Sequence, residues 1–415
     1  MHSLPDPAVR TRAPANALGG SHRQTFVVFK RGGMGSVLAS LPFVARLREC
    51  QPDARILLIT DHANRELAER CDIADAVMGI AASCRPMSAW QHARLVARIR
   101  RHAPSVFFDL QMHTHRFASA MLAAASGARH RVGFYRPSDR ARQQVFDTLV
   151  LANMFAPVHD LYMQMARAIG CPAPGAMPCL SLRVTPDDEQ RAGDLLGSWL
   201  LTDVPLLVVN TNTSDKAVER RWPLPLFREA VAGILLHRPD AKVVLIGTAA
   251  EFDHVEQLRQ SLGFAEDRLR NLAGLTPLGS LLALLRRASC VLTNDSGPFH
   301  FSVALGTPTV GLFGPVHPDH YGRMGRSDRT VVFYQPMVCS PCVHVVSAPP
   351  CGGDNHCMKA IAPADVEAAC LRLMIGGDRA ARAGWRFSPS PETSTDAGSA
   401  LGVWHRTVQN ATLAC

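Results

Sequence analysis

The sequence predicts an α/β protein built from two doubly wound parallel sheets, and three observations carry that prediction. Short apolar runs alternate with amphipathic stretches between residues 24 and 375. The alternation falls into two sets, separated by residues 181–204. The chain of 415 residues, 47% of them hydrophobic, is long enough for two packed cores. Strands covered by helices on both faces read as continuous apolar runs, which is the pattern seen here.

The first set occupies 24–180. TFVVF (25–29) reads as a buried strand, followed by a turn at Gly32, Gly33 and Gly35. Val37, Leu41, Val44 and Leu47 then recur at helical spacing over 36–49. Pro42 lies inside that stretch and should kink the helix or delay its start. RILLIT (55–60), SVFFDL (105–110) and HRVGF (130–134) read as further strands, with a helix over 116–126. Residues 181–204 read as a linker with a helix near 186–200.

The second set occupies 205–375. Its strands are LLVVN (206–210), KVVLIG (242–247), SCVLTN (289–294) and TPTVGLFG (307–314). Helices are expected near 224–237, 251–262, 277–288 and 298–305. Sheets of this kind bind ligands at the carboxyl ends of their strands, so the ligand is expected in a cleft between two facing domains. Residues 1–23 are rich in Pro, Ala and Arg and read as a disordered arm; residues 376–415 read as a largely flexible tail.

Composition narrows the function. No apolar run reaches the ~18–20 residues of a spanning helix, and the first residues have no apolar core of the secretory kind. Lys plus Arg is 44 against 35 for Asp plus Glu, a formal charge of +9. Such an excess favours nucleic acid, anionic lipid or phosphorylated small molecules. No zinc-finger spacing or RNP-type motif accompanies it, so nucleic acid is not expected as a partner. Twelve cysteines in 415 residues do not make a disulfide scaffold, and a cytoplasmic location is expected.

The most informative stretch is LTNDSGPFHFSVALGTPTVGLFGP, residues 292–315. A strand runs into Asn294, Asp295, Ser296, Gly297 and Pro298, and a helix follows. Pro298 suits a helix's first turn. Asp295 or Ser296 can cap it, and Gly297 admits a ligand close to the backbone. A helix N-terminus presents free N–H groups to an anion, and a diphosphate would fit. An ordinary capped turn would read the same way.

With NDSGP-x-H followed by ALGTPTVGLFGP, the chain resembles glycosyltransferase family nine, the ADP-heptose:lipopolysaccharide heptosyltransferases. KRGGMGSVLASLPFVARLRECQPDARI (30–56), FFDLQMHTHRFASAMLAAASGARHRVGF (107–134), NTNTSDKAVERRWPLPLF (210–227), VVLIGTAAEFDHVEQL (243–258) and NLAGLTPLGSLLALLRRASCVLTND (271–295) resemble the family's other segments, in its order. The resemblance implies two Rossmann-like domains facing a cleft, the B-type glycosyltransferase fold. It implies an inverting transfer of sugar from an ADP-heptose-like nucleotide-sugar donor to a lipopolysaccharide-type or other envelope glycan at the cytoplasmic face of the inner membrane. Transfer to a protein and a non-catalytic sugar-nucleotide-binding role remain open.

Residue by residue, the resemblance implies a donor site lined by Asn294, Asp295, Ser296, Gly297, Pro298 and His300. Glu251 stands where the family places a carboxylate near the donor nucleoside. Arg220 or Arg221 stands where a basic residue meets the phosphates, with Thr211, Thr213, Ser214 and Lys216 nearby. Gly35, Gln111, His113 and His159 fall on the acceptor side. The family has Gly-Asp at the first turn, its Asp serving as base. Here the pair is Gly35-Ser36, and a serine hydroxyl is no carboxylate base at neutral pH. Asp109 is the expected substitute, with His113, His115 and His159 behind it and Ser36 as a hydrogen-bonding group. No cofactor is expected for catalysis.

Cys339, Cys342, Cys351 and Cys357 form a cluster with Pro and Gly between them. Four thiolates could hold a structural zinc or iron tetrahedrally; free or redox-active thiols are the favoured alternative.

Overall fold

The computed structural model describes residues 9–11, 23–81, 88–112, 116–153, 155–172, 180–197, 199, 204–213, 215–321, 329–343, 345–346, 348–375, 384–389 and 402–407. The chain divides into two compact units, Met1–Ser181 and Leu182–Cys415. Each contains one doubly wound sheet.

The first unit holds β1 (Val9–Thr11), β2 (Thr25–Phe29), β3 (Arg55–Asp61), β4 (Ala76–Ile80), β5 (Val106–Asp109), β6 (His130–Tyr135) and β7 (Thr148–Leu151), in the order β1-β7-β6-β5-β2-β3-β4. β2 to β7 are all parallel, while β1 joins antiparallel at the edge of β7. The chain winds outward from β2 to β4 and resumes at β5 on the other side of β2. The loops after β2 and β5 therefore flank the point where strand order reverses, the usual place for a ligand in such sheets. Phe26, Phe43 and Phe108 pack edge to face beneath it, at 5.9 and 5.2 Å from the Phe108 ring.

Pro42 splits the expected 36–49 helix in two: Met34–Leu38 ends at Ala39, and Leu41–Cys50 carries the proline in its first turn. The missing N–H costs nothing there.

The second unit holds β8 (Leu206–Asn210), β9 (Lys242–Ile246), β10 (Leu269–Asn271), β11 (Cys290–Asn294), β12 (Thr309–Phe313) and β13 (Thr330–Tyr334) in the all-parallel order β10-β9-β8-β11-β12-β13. Its reversal point lies between β8 and β11. Trp222 is buried below that point, with its ring 4.9 Å from Phe227 and its indole N–H donated to the Ile361 carbonyl at 3.3 Å. The helix expected near 186–200 spans Pro186–Leu196, opened by a Thr185–Asp188 capping box, and belongs to this unit.

Two stretches expected to lack structure supply strands. β1 lies in the 1–23 arm, and β14 (Gly384–Pro389) pairs antiparallel with β15 (Gly402–Thr407) in the 376–415 tail. β4, β7, β10 and β13 were not legible either. β10 is three residues long and shows no continuous apolar run, whereas β4, AVMGI, is apolar throughout but only half-buried. No helix among the described residues is long and apolar enough to cross a membrane.

Candidate functional site

The loops after β8 and β11 build the first candidate centre. Asn210 donates from Nδ2 to the Asn212 carbonyl at 3.0 Å, to Thr293 Oγ1 at 3.0 Å and to Ser296 Oγ at 2.9 Å. Asn294 donates from Nδ2 to the Thr211 carbonyl at 2.8 Å and accepts from the Trp222 backbone N–H at 3.0 Å. These two asparagines stitch the strand ends together. Thr211 Oγ1 and Asn212 Oδ1 are buried without a protein hydrogen-bond partner, which a bound polar group would offset.

The helix Gly297–Ala304 starts here, and its N-cap Ser296 side chain makes no capping hydrogen bond. Pro298 has no N–H, so Gly297 and Phe299 supply uncapped donors in the first turn. Gly311 on β12 lets this helix sit close: a Cβ there would stand 2.4 Å from the Phe299 ring. Arg220 donates from Nη1 to Asp295 Oδ2 at 3.3 Å, which holds a guanidinium beside the turn. The buried His300 ring stands 3.8 Å from Asp295. Burial pulls its pKa down to about 4 against the raising effect of Asp295, so it is neutral at physiological pH.

The other donor-side expectations fare differently. Arg221 donates to the Thr213 carbonyl at 3.4 Å. Glu251 accepts from the Thr248 N–H at 2.7 Å and hydroxyl at 2.9 Å through one oxygen, so it caps its own turn. Ser214 lies outside the described residues, as does the side chain of Lys216.

In the first unit, the turn after β2 is tied to its neighbours by charge. Arg31 donates from Nε to Asp61 Oδ1 at 2.6 Å, and the Gly32 N–H donates to Asp61 Oδ2 at 2.9 Å. The Arg31 N–H reaches Gln111 Oε1 at 3.0 Å, and Asn64 donates to the Gly32 carbonyl at 2.8 Å. Gly32 has φ +136°, which a side chain would strain. Gly35 is buried and Ser36 half-buried at the start of the short helix that follows. Lys30 is buried, and burial lowers its pKa to about 8 despite Asp109 nearby.

Asp109, the expected base, is enclosed by protein groups. It is fully buried and faces Arg142 at 2.8 Å. One oxygen accepts the Gln111 N–H at 3.0 Å, and the other accepts the Ser119 hydroxyl at 2.6 Å. Enclosed in this way, the carboxylate braces the loops after β5. His159 is buried in the helix Val158–Arg167. His113 and His115 lie outside the described residues. Sequence reasoning missed Lys30, Arg31, Asp61, Asn64 and Arg142. A signal was available for Asp61, which ends an apolar strand as Asp109 does.

Cys342 and Cys357 are buried, Cys351 half-buried and Cys339 exposed. The loop rests on Gly314, where a Cβ would stand 2.8 Å from Cys357 Sγ. Burial raises the Cys357 thiol to about 11, and burial together with Cys339 and Cys351 raises Cys342. Among the described residues no three His, Cys, Asp or Glu side chains stand where one metal ion could bind. The four thiols as placed therefore do not fit the zinc or iron site that their spacing suggested.

Two doubly wound α/β units of this kind make up the B-type glycosyltransferase class. The chain belongs to glycosyltransferase family 9 (heptosyltransferase), whose sequence model matches residues 93–351. It is 30% identical over 222 residues to the lipopolysaccharide core heptosyltransferase OpsX of Haemophilus influenzae, covering 53% of this chain and 60% of that relative. The match thus spans less than two thirds of the relative's length. Among solved structures, a glycosyl transferase family 9 protein from Veillonella parvula superposes with TM-score 0.69 at 20% identity, covering 85% of this chain and 97% of that one. The E. coli ADP-heptose LPS heptosyltransferase II does so with TM-score 0.65 at 19% identity, covering 85% and 98%. Both share the fold.

Proposed function

We propose that this protein is an inverting glycosyltransferase that moves heptose from an ADP-heptose-like donor to an envelope glycan of the lipopolysaccharide kind. The observation that carries the reading is the uncapped first turn of Gly297–Ala304 with Arg220 fixed beside it by Asp295. Charge builds on the diphosphate as the sugar leaves. Helix N–H groups and a preorganised guanidinium stabilise that charge without reorganising. The buried, unpartnered oxygens of Thr211 and Asn212 add polar groups on the same side of the sheet. The names of the relatives support the donor and acceptor classes: OpsX is a lipopolysaccharide core heptosyltransferase, and the E. coli protein is named for ADP-heptose. In this reading the transfer needs no metal, and it takes place at the cytoplasmic face of the inner membrane.

One second reading has an observation of its own. Ser36 stands where the family's base is expected, and Asp109 is locked in an ion pair, which favours a nucleotide-sugar-binding protein without turnover. A panel of nucleotide sugars offered with a lipopolysaccharide acceptor, with mass-spectrometric detection of released nucleoside diphosphate and extended glycan, separates the two. Release with glycan extension supports transfer. Tight donor binding with no release above background supports the second reading, and no binding of any donor sinks both.

A further inference from the structure

Between Asp75 and Asp139 the chain carries nine arginines and a single acidic residue, Asp109. That acid is buried and paired with Arg142, and Arg116 and Arg131 pair with Asp139 and Asp147, so the surface charge of this segment rests on the exposed arginines of its first helix, Arg94 and Arg98 among them. Two helices of this segment, Ala89–Arg100 and Arg116–Ala125, lie side by side. Their inward faces share one core through Leu95, Ile99, Ala120, Leu122 and Ala123, and Arg100 donates from Nε to the Ala125 carbonyl at 2.8 Å.

Their outward faces are unusual. On the first helix Trp90, Arg94, Arg98 and Arg101 recur at spacings of four, four and three residues, opposite the buried Leu95 and Ile99. The Arg94 guanidinium stands 5.2 Å from the centre of the Trp90 ring. On the second helix Phe117 and Met121, four residues apart, share the exposed face with Ala124. Trp90 is 67% exposed, Phe117 71% and Met121 53%. An ordinary surface helix is polar outward; this pair instead presents bulky apolar side chains with arginines beside them and no exposed acid.

We infer that the paired helices Ala89–Arg100 and Arg116–Ala125 dock this unit on an anionic lipid bilayer. Charge complementarity selects the occupant. Arginines draw the face to a negatively charged leaflet, while Trp90, Phe117 and Met121 enter the headgroup boundary. Trp90 and Phe117 each lie in the first turn of a helix that follows a strand, β4 and β5 respectively. They therefore stand toward the carboxyl edge of the first sheet, the edge that carries Ser36 and Gln111. Docking here would set that edge against the bilayer. The inference rests on the membrane-face placement proposed above and names the surface that would achieve it; it is tested without donor or acceptor, so its failure leaves the transfer reaction standing.

The full chain is mixed with phosphatidylcholine vesicles, with and without phosphatidylglycerol, and sedimented. Binding is expected only to the anionic vesicles and is expected to weaken as salt is raised. F117S/M121S is expected to lower vesicle affinity about tenfold or more, and R94E/R98E to remove the preference for phosphatidylglycerol. All four side chains are exposed, so unchanged thermal unfolding confirms that the variants fold. Absence of vesicle binding at low salt, or binding indifferent to both double variants, overturns the inference. Concentration-dependent self-association that F117S/M121S abolishes, without vesicle binding, assigns the face to a second copy of the chain and also overturns it.

Discussion

Asp109 and Arg142 form a closed ion pair at the carboxyl end of β5, 2.8 Å apart, with side-chain exposures of 0% and 3%. The pair holds the loop after β5 to the helix Arg140–Val145, and Ser119 and Gln111 complete its hydrogen bonds. Breaking one side of such a pair leaves the other charge buried and alone, at ~3–5 kcal/mol.

Asp109→Asn is accordingly expected to destabilise the fold by about that amount, while turnover per folded molecule changes little. Urea unfolding alongside kinetics on the folded fraction checks this. A loss of turnover of ~100-fold or more at full stability would restore Asp109 as the general base. Ser36→Asp, which returns the family's residue to the turn, is expected to raise turnover.

Arg220 is expected to act on the donor. Arg220→Ala should weaken nucleotide-sugar binding by ~10–100-fold, the range for losing a charge-assisted hydrogen bond to phosphate. Arg220→Lys should recover part of it. Gly297→Val should weaken the same binding by crowding the first turn, since the present glycine leaves the backbone open. Calorimetric titration of donor into each folded variant decides the matter; unchanged affinity in both would move the diphosphate elsewhere.

His300 makes stability depend on pH. Its folded pKa of about 4 lies below the ordinary 6.5, so the unfolded chain gains its proton first as pH falls. The stability is whole above pH 6.5, declines between 6.5 and about 4, and levels off below. The full loss is up to ~3 kcal/mol for a shift of this size. His300→Gln should flatten that part of the stability curve, measured by urea unfolding at a series of pH values.

The cysteine loop should show graded reactivity. Thiolate is the reacting form, so exposed Cys339 should be alkylated first, and Cys357, raised to about 11 and buried, last. Mass mapping after timed alkylation at pH 8 gives the order. Protection of all four thiols together, released by a chelator, would instead point to a shared metal.

The strands that were readable from sequence are those buried on both faces. TFVVF and LLVVN coincide with β2 and β8 because continuous apolar runs have no other stable home in a sheet of this type. β1 and β10, three residues each, gave no such run, since their pairing is decided by neighbours distant in sequence. The donor loop was legible because Asn294 to Pro298 is one contiguous stretch. The partners that fix it, Asn210 and Arg220, lie more than seventy residues away. The same limit explains Asp109. A carboxylate at a strand end looks the same in sequence whether it faces a substrate or an arginine.

β1 is a small addition to the first sheet, yet it changes what the sheet exposes. Val9, Arg10 and Thr11 pair with Val150, Leu149 and Thr148 along the last parallel strand. An uncovered β7 would offer a row of unpaired amide and carbonyl groups to any passing extended chain. Val9–Thr11 thus serve as a cover strip for an adhesive border. Trimming them off takes the Arg10 guanidinium from over the Tyr135 ring but leaves both ligand-side loops in place, and its cost would appear as aggregation on standing rather than as lost activity.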